Sequence, residues 1–199
     1  MKTAILSYLL AITSAKVTFF GTCVTDYTTS SMTVSNLASN YWYETYRDTF
    51  NPSFITTDCS TQQYKTTSDS SILDAYWRGF SVIYLFTGFY ATESGQVKCD
   101  SSNGKCYVNF WTWLDSDMNK DANYIILTMS AGSYFVSWQC DAWFLGMAID
   151  EQATLLTNSN SASSAQQSAA KTIIDNNFSS YSYSDNVVEN KQSDCTYTW

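Results

Sequence analysis

The stretch NLASNYWYE at residues 36–44 is the part of the sequence that indicates the fold most strongly. It ends in the triplet Trp42-Tyr43-Glu44, with Cys23 before it and Cys59 after it. Large aromatic residues next to polar ones favour a β-strand with one face buried. The triplet is therefore predicted to open the first strand of a closed β-barrel.

The chain of 199 residues fits a single domain with a sizeable core. Residues 1–15 have the pattern of a signal peptide: Lys2 precedes an apolar run over residues 3–12, and small residues follow at 13–15. That run is too short to span a bilayer, and no later segment is apolar enough to do so. We expect a mature domain over residues 16–199 that is secreted.

Charge and composition disfavour several classes of partner and activity. The net charge is -8, which disfavours nucleic acid and anionic membrane surfaces as partners. The chain has no histidine, so the commonest general base and metal ligand are missing. We expect no metal site, no catalytic residue and no enzyme. The 17% aromatic content with a single proline is typical of an all-β protein.

Alternation with a period of two predicts eight strands, at residues 41–47, 60–66, 72–77, 81–91, 106–114, 123–129, 134–139 and 142–147. Polar turns separate them at residues 68–70, 93–95, 102–104, 115–121 and 131–133. Short connections between successive strands predict an up-and-down antiparallel barrel, which has no exposed sheet edge.

A helix is predicted after the last strand, over residues 165–176, with Ala169, Ile173 and Ile174 on one face. A serine at 163 or 164 is expected to cap it, and the asparagines at 176–177 to end it. The helix should pack on the outside of the barrel, and an extended tail should lead to Cys195.

At this point the chain resembles the lipocalins, and within them the group of apolipoprotein D and the bilin-binding proteins. Four segments carry the resemblance: NLASNYWYE at 36–44, CSTQQY at 59–64, YIILTMSAGSYFVSWQC at 124–140 and WFLGM at 143–147. The first two are similar to the family's first two strands, the third to the two strands before the last, and the fourth to the final strand.

The six cysteines allow 15 pairings on their own. The resemblance implies that Cys23 pairs with Cys140 and Cys59 with Cys195. Cys99 and Cys106 then remain, and they flank a turn that they can bridge. All six cysteines are expected to be oxidised, as is usual in a secreted protein.

The first strand has one face with Trp42, Glu44 and Tyr46. We expect Trp42 to close one end of the barrel by packing. The resemblance implies that Met147 packs against it, in the place of a family arginine. Glu44 and Tyr46 are expected to face the ligand pocket, although Glu44 could instead be satisfied by an internal hydrogen bond.

The predicted pocket residues are mostly aromatic: Glu44, Tyr46, Tyr64, Tyr76, Tyr84, Phe86, Trp111, Trp113, Tyr124, Tyr134 and Trp138. For residues 106–114 the sequence leaves open which face is inside. It also leaves open whether the barrel is filled with rings or holds an aromatic-lined cavity. The family favours the cavity, and a bound lipid, steroid, retinoid or tetrapyrrole would suit it.

The leading hypothesis is a secreted protein that binds or transports a small hydrophobic molecule. One alternative is an extracellular interaction module with a filled barrel and a protein partner, and another is a lipocalin-type isomerase or de-epoxidase. Two weaker signals remain. Asn177 begins a glycosylation sequon, and residues 115–121 resemble a calcium loop but are better explained as a solvated turn.

Overall fold

The computed structural model describes residues 17–19, 23–38, 40–48, 58–81, 89–110, 112, 114, 116–143 and 148–197. Within them, only the backbone is described at residues 17–19, 80–81, 89, 91, 141–143 and 148–150. The expected signal peptide at residues 1–15 lies outside the described residues.

The described part of the chain contains ten strands and three helices. The strands are β1 (Val17–Phe19), β2 (Tyr41–Asp48), β3 (Asp58–Thr66), β4 (Ile72–Ser81), β5 (Phe89–Asp100), β6 (Lys105–Asn109), β7 (Tyr124–Ser130), β8 (Tyr134–Trp143), β9 (Ala148–Thr157) and β10 (Val187–Glu189). The helices are α1 (Val34–Ala38), α2 (Ser164–Asn177) and α3 (Tyr183–Asn186).

Strands β2 to β9 form a closed antiparallel barrel. Each pairs with the next one along the chain, and β9 pairs back onto β2, with Tyr43 opposite Thr157 and Arg47 opposite Thr154. Two short strands extend the sheet: β1 pairs with β9, and β10 pairs with β2. The predicted eight-stranded up-and-down barrel with a helix outside is confirmed.

Several predicted strand boundaries are wrong. Residue 81, predicted to begin a strand over 81–91, ends β4, and β5 begins at Phe89. Residues 93–95 lie inside β5 and form no turn. Gly95 is needed there because a Cβ would lie 2.3 Å from the Asn109 carbonyl oxygen of β6. Strand β6 ends at Asn109, before the predicted end at residue 114.

The predicted final strand at residues 142–147 is also wrong. Ala142 and Trp143 end β8, and the final barrel strand is Ala148–Thr157. Its Leu155 packs in the core outside the barrel and its Leu156 in the core inside it. Polar residues at 150–152 and two adjacent leucines at 155–156 break the alternation of apolar and polar residues that marks a half-exposed strand. The WFLGM segment therefore does not match the last strand.

The C-terminal helix agrees with its prediction. Helix α2 begins after Ser163, whose hydroxyl accepts a hydrogen bond from the Gln166 amide while the Gln166 side chain accepts one from the Ser163 amide. This reciprocal pair satisfies two amides that the helix itself leaves unpaired. Its buried residues are Ala170 and Ile174, and Ile173 packs partly buried against the outer core. Ile173 and Ile174 therefore lie on the packed face as predicted, and Ala170 is buried there instead of Ala169.

Two separate cores result. The inner core fills one end of the barrel, and the outer core lies between α2, the C-terminal segment and the outer face of β7 to β9. In the outer core the Phe178 ring stacks on the Trp138 indole, with ring centroids 3.8 Å apart. The outer core fixes the helix against the barrel.

Trp42 closes one end of the barrel, as predicted. Its indole is fully buried, its Nε1 donates to the Leu37 carbonyl oxygen at 2.9 Å, and its ring meets the Phe135 ring edge to face at 4.9 Å. Met147, the expected neighbour, lies outside the described residues. Ala148, which begins β9, is at the opposite end of that strand from Thr157, the residue nearest Trp42 in the register.

Three disulfides join Cys23 to Cys140, Cys59 to Cys195 and Cys99 to Cys106. All three expected pairs are present, and the structure has no free cysteine. The first two staple the N-terminal arm and the C-terminal tail to the barrel. The third joins two neighbouring strands, with Cys99 directly opposite Cys106.

The disulfides should differ in their contribution to stability. Cys59 and Cys195 are 136 residues apart, whereas Cys99 and Cys106 are 7 apart. The chain-entropy relation gives a loss of about 5 kcal/mol for the double substitution Cys59→Ala/Cys195→Ala and about 2.5 kcal/mol for Cys99→Ala/Cys106→Ala. Urea unfolding of both variants measures the difference. A larger loss for the short-loop pair would contradict this assignment.

Candidate functional site

The barrel interior is the candidate site, and the strand register identifies the side chains that face it. Residues directly opposite each other in an antiparallel pair lie on the same face of the sheet. Starting from the buried Trp42, this rule and the inner core give one continuous set. The inward-facing residues used below are Glu44, Arg47, Gln62, Tyr64, Ala75, Trp77, Glu93, Phe110, Tyr124 and Ser137.

A bulge in β2 changes the predicted face of one residue. The register with β9 shifts between Glu44, opposite Leu156, and Tyr46, opposite Leu155. Leu156 belongs to the inner core and Leu155 to the outer core. Glu44 therefore faces the interior as predicted, whereas Tyr46 packs against the outer core. A bulge of one residue reverses the face of every following side chain.

Three further predicted pocket residues lie outside the barrel. Tyr134 packs against the outer core, and Trp138 is buried in it. Tyr76 lies on the outer face of β4, where the Lys65 ammonium sits 4.7 Å from the centre of its ring. Their alternation with inward-facing neighbours excludes them from the interior.

Tyr64 and Tyr124 do face the interior, as predicted, and both are almost fully buried. Tyr84, Phe86, Trp111 and Trp113 lie outside the described residues. The sequence left open which face of residues 106–114 points into the barrel, and the structure answers this as far as residue 110. Cys106 and Val108 belong to the inner core and Phe110 packs against it, so the opposite face of β6 points outward.

Among the inward-facing residues that were not predicted are Gln62 and Trp77, and Phe110 lies on the face of β6 that the sequence left undecided. Trp77 alternates with Leu73 and Ala75, which are both in the inner core, and that spacing was the available signal. Phe110 meets the Trp77 indole edge to face, with ring centroids 4.6 Å apart. The Tyr124 ring lies 6.0 Å from the same indole. Three rings therefore line one region of the interior.

Next to these rings lies a buried polar cluster. The Tyr64 hydroxyl donates to Gln62 Oε1 at 2.5 Å. Gln62 and Arg47 lie near the Glu44 carboxyl. Burial raises the pKa of Glu44 above its ordinary value of 4.5, and Arg47 and Gln62 reduce that rise.

Two donors in this region have no partner. Trp77 Nε1 and Tyr124 Oη are buried, and neither makes a hydrogen bond among the described residues. The Tyr64 hydroxyl and Ser137 lie close enough to Tyr124 to affect its pKa, but the geometry does not form a bond. Burial raises the pKa of the Tyr124 hydroxyl, so it keeps its proton at neutral pH.

The interior is packed unevenly. Around the Trp42 plug, Leu37 and Phe135 are 0% exposed. Trp77, Phe110 and Glu44 also face inward, yet they keep accessible surface. Because these side chains point away from the outer surface, their accessibility shows that they are packed less tightly than the residues around Trp42. The side chains are therefore close-packed at one end and looser beyond it.

The described residues contain no cluster of acidic, cysteine or histidine side chains suited to a metal ion. In the segment expected to be a solvated turn, Asp117 accepts hydrogen bonds from the Asn119 backbone and side chain, and both residues are exposed.

No helix in the described part of the chain combines the length and hydropathy needed to cross a membrane.

The raised pKa of Glu44 predicts a pH-dependent stability difference. Protonation of Glu44 favours the folded state, so its contribution is fully present below pH 4.5 and is lost as the pH rises through the folded-state pKa. Glu44→Gln, which is neutral at every pH, should therefore gain stability relative to wild type between pH 4 and pH 7. Urea midpoints at both pH values measure this gain. The exposed Glu189→Gln is the control, and a constant difference for Glu44→Gln would refute the assignment.

Comparison with known proteins gives matches by structure and none by sequence. No family model matches the chain, and no curated protein does. Insecticyanin from the tobacco hornworm Manduca sexta has a TM-score of 0.67 at 16% identity, covering 92% of this chain and 94% of that one. H1 crustacyanin from the lobster Homarus americanus has a TM-score of 0.61 at 14% identity, covering 91% and 93%.

A third similar structure is japanin from Rhipicephalus appendiculatus, described as bound to cholesterol. Its TM-score is 0.54 at 8% identity, and the match covers 80% of this chain and 96% of that one. These likenesses support the lipocalin resemblance at the level of fold, while the apolipoprotein D and bilin-binding subgroup stays a prediction. The chain has the lipocalin fold.

Proposed function

We propose that this chain is a secreted protein that binds and carries a small hydrophobic molecule inside its barrel. The observation that carries the proposal is the uneven packing of the interior. Beyond the plug formed by Trp42, Leu37 and Phe135, the inward-facing rings of Trp77 and Phe110 keep accessible surface. An enclosed space lined by aromatic and aliphatic side chains with a few polar groups is the usual form of a small-molecule site.

The barrel itself is suited to holding such a molecule. Closure of β2 onto β9 leaves no free edge, and two disulfides hold the N-terminal arm and the tail against the wall. A bound ligand would therefore meet preformed walls, and little binding energy would be spent on ordering the protein. Cholesterol bound to japanin is a precedent on the same fold for an apolar, polycyclic occupant.

Secretion is part of the proposal and rests on two observations. Residues 1–15 have the pattern of a signal peptide. The described structure also contains three disulfides, which persist in oxidising compartments. An apolar molecule that has to move through an aqueous extracellular medium needs a carrier that shields its surface.

The proposal is tested by ligand discovery followed by a matched pair of variants. Native mass spectrometry of the purified protein should detect a copurifying small molecule. Intrinsic tryptophan fluorescence should respond to at least one class among fatty acids, steroids, retinoids and tetrapyrroles. A response to none of these classes, with no copurified molecule, would contradict the proposal.

The variants locate the site. Trp77→Ala removes an inward-facing ring, and Tyr76→Ala removes the outward-facing ring of the preceding residue. The first should weaken binding of the responding ligand by at least about tenfold, because it loses apolar contact area worth roughly 1.5 to 3 kcal/mol. The second should leave the dissociation constant unchanged. Equal effects of the two substitutions would place the ligand outside the barrel.

A further inference from the structure

We propose that the molecule carried in the barrel is a hydrophobic amine, whose ammonium group pairs with the Glu93 carboxylate beside the rings of Trp77 and Phe110. This rests on the proposed function, and it adds the charge of the ligand and the residue that selects it. The predicted ligand has an apolar body and one positively charged nitrogen.

The first step of the argument is the position of Glu93. It lies in β5 directly opposite Trp77 of β4, and the register between these two strands has no shift. Leu73 and Val97, a further opposite pair of the same two strands, both belong to the inner core. Alternation along the strands therefore puts Trp77 and Glu93 on the inward face. Opposite side chains on one face have Cβ atoms about 4.5 to 5.5 Å apart, so the two side chains are neighbours.

The second step is that Glu93 has no counter-charge in the described part of the chain. Its carboxyl makes no hydrogen bond or ion pair there. Burial raises the pKa of Glu93, and no neighbouring charge or hydrogen bond opposes that rise. For Glu44, a second inward-facing acid, Arg47 and Gln62 reduce the corresponding rise. A half-buried carboxylate without a partner is unfavourable, so a cation of the ligand would be stabilised beside Glu93.

The third step concerns the rings next to this carboxyl. Trp77 keeps accessible surface although its Nε1 is buried, so the surface that it presents to the interior is carbon. The Phe110 ring meets the Trp77 indole edge to face at 4.6 Å and also keeps accessible surface. Aromatic ring faces attract ammonium groups, and the indole does so most strongly. The rings therefore favour both an apolar body and a positive head group.

The fourth step is the balance of charge inside the barrel. Among the inward-facing residues named above, Glu44 and Glu93 are acids and Arg47 is a base. Arg47 acts on the pKa of Glu44 and has no effect on that of Glu93. Lys98, on the strand of Glu93, points outward and donates to Asn119 Oδ1 at 2.6 Å. The described interior is therefore net negative, which favours a cationic ligand over an anionic one.

Three compounds with ten-carbon chains test the charge of the ligand. At pH 7 decylamine is a cation, 1-decanol is neutral and decanoate is an anion. Titrations followed by tryptophan fluorescence should show decylamine binding at least about tenfold tighter than decanol, as expected for a hydrogen bond between charged groups. Decanoate should bind more weakly than decanol, because Glu93 repels it.

Two variants of acidic residues locate the effect. Glu93→Gln keeps the shape of the side chain and removes its charge, so it should weaken decylamine binding about tenfold and change decanol binding by less than about twofold. Asp74→Asn is the matched control. Asp74 lies on the outer face of β4, where its carboxylate accepts from Gln96 Nε2 at 3.3 Å. This control should leave the affinity for all three compounds unchanged.

A third variant tests the contribution of the rings. Phe110→Leu removes an aromatic face and keeps an apolar side chain. It should weaken decylamine binding about threefold more than decanol binding, because only the ammonium group interacts with the ring quadrupole. Thermal unfolding without ligand should show no lower melting temperature for Glu93→Gln, since the amide replaces a carboxylate that has no partner. Decanol binding by the same variant shows that its barrel is intact.

The outcomes separate the two proposals. Decanol or decanoate binding as tightly as decylamine would overturn the ammonium and leave the carrier standing. Full affinity of Glu93→Gln for decylamine, or an equal loss in Asp74→Asn, would do the same. Binding of none of the three compounds, while a steroid, retinoid or tetrapyrrole binds, would also overturn the ammonium. No response to any of these compounds would contradict the proposed function itself.

Discussion

The pairing of β2 with β9 closes the barrel, and the bulge inside that pairing decides which side chains the barrel encloses. Thr45, at the bulge, is almost fully buried. Its hydroxyl donates to the Leu155 carbonyl oxygen at 3.3 Å, and its own carbonyl accepts from the Asn190 amide of the tail at 2.9 Å. The bulge is thus held from both sides. Because of the bulge, Glu44 points inward and Tyr46 points outward, so the Glu44 carboxyl lies in the interior.

The tail contributes to the same constraint. Gln192 donates to the backbone carbonyl oxygens of Glu44 and Ser60, and the Tyr181 hydroxyl donates to the Asp48 carboxylate. The disulfide from Cys59 to Cys195 fixes the end of this segment. The outer core therefore supports the barrel wall. The inner core is close-packed around Trp42 and more loosely packed further along the barrel.

Much of the fold was predictable from sequence, and the reasons are physical. Alternation predicted most strands because one of their faces is apolar, and the capping serine at 163 has a clear local signature. The expected disulfides followed from the resemblance and the turn between Cys99 and Cys106. The last strand was missed because polar residues at 150–152 and adjacent leucines at 155–156 hide its alternation. Tyr46 was misplaced because nothing in the sequence marks a bulge at Thr45.

The candidate site was less predictable than the fold. Tyr64, Tyr124 and Glu44 were found because large or charged residues on an inward face stand out. Trp138 was assigned to the pocket for the same reason, although its indole is covered by Phe178 on the outside. The positions of aromatic residues in the sequence do not tell which of them belong to the inner core and which to the outer core, because both cores are rich in aromatic rings. The unpaired donors at Trp77 and Tyr124 become visible only once the register and the neighbouring geometry are known.

The central claim is that the ligand binds inside the barrel against Trp77. Nuclear magnetic resonance of the ¹⁵N-labelled indole groups tests it directly, with the Trp77 signal assigned by its loss in Trp77→Phe. On addition of a bound ligand the account predicts a large shift of the Trp77 indole N–H, with the Trp138 signal unchanged. A shift confined to Trp138, with Trp77 unmoved, would contradict it.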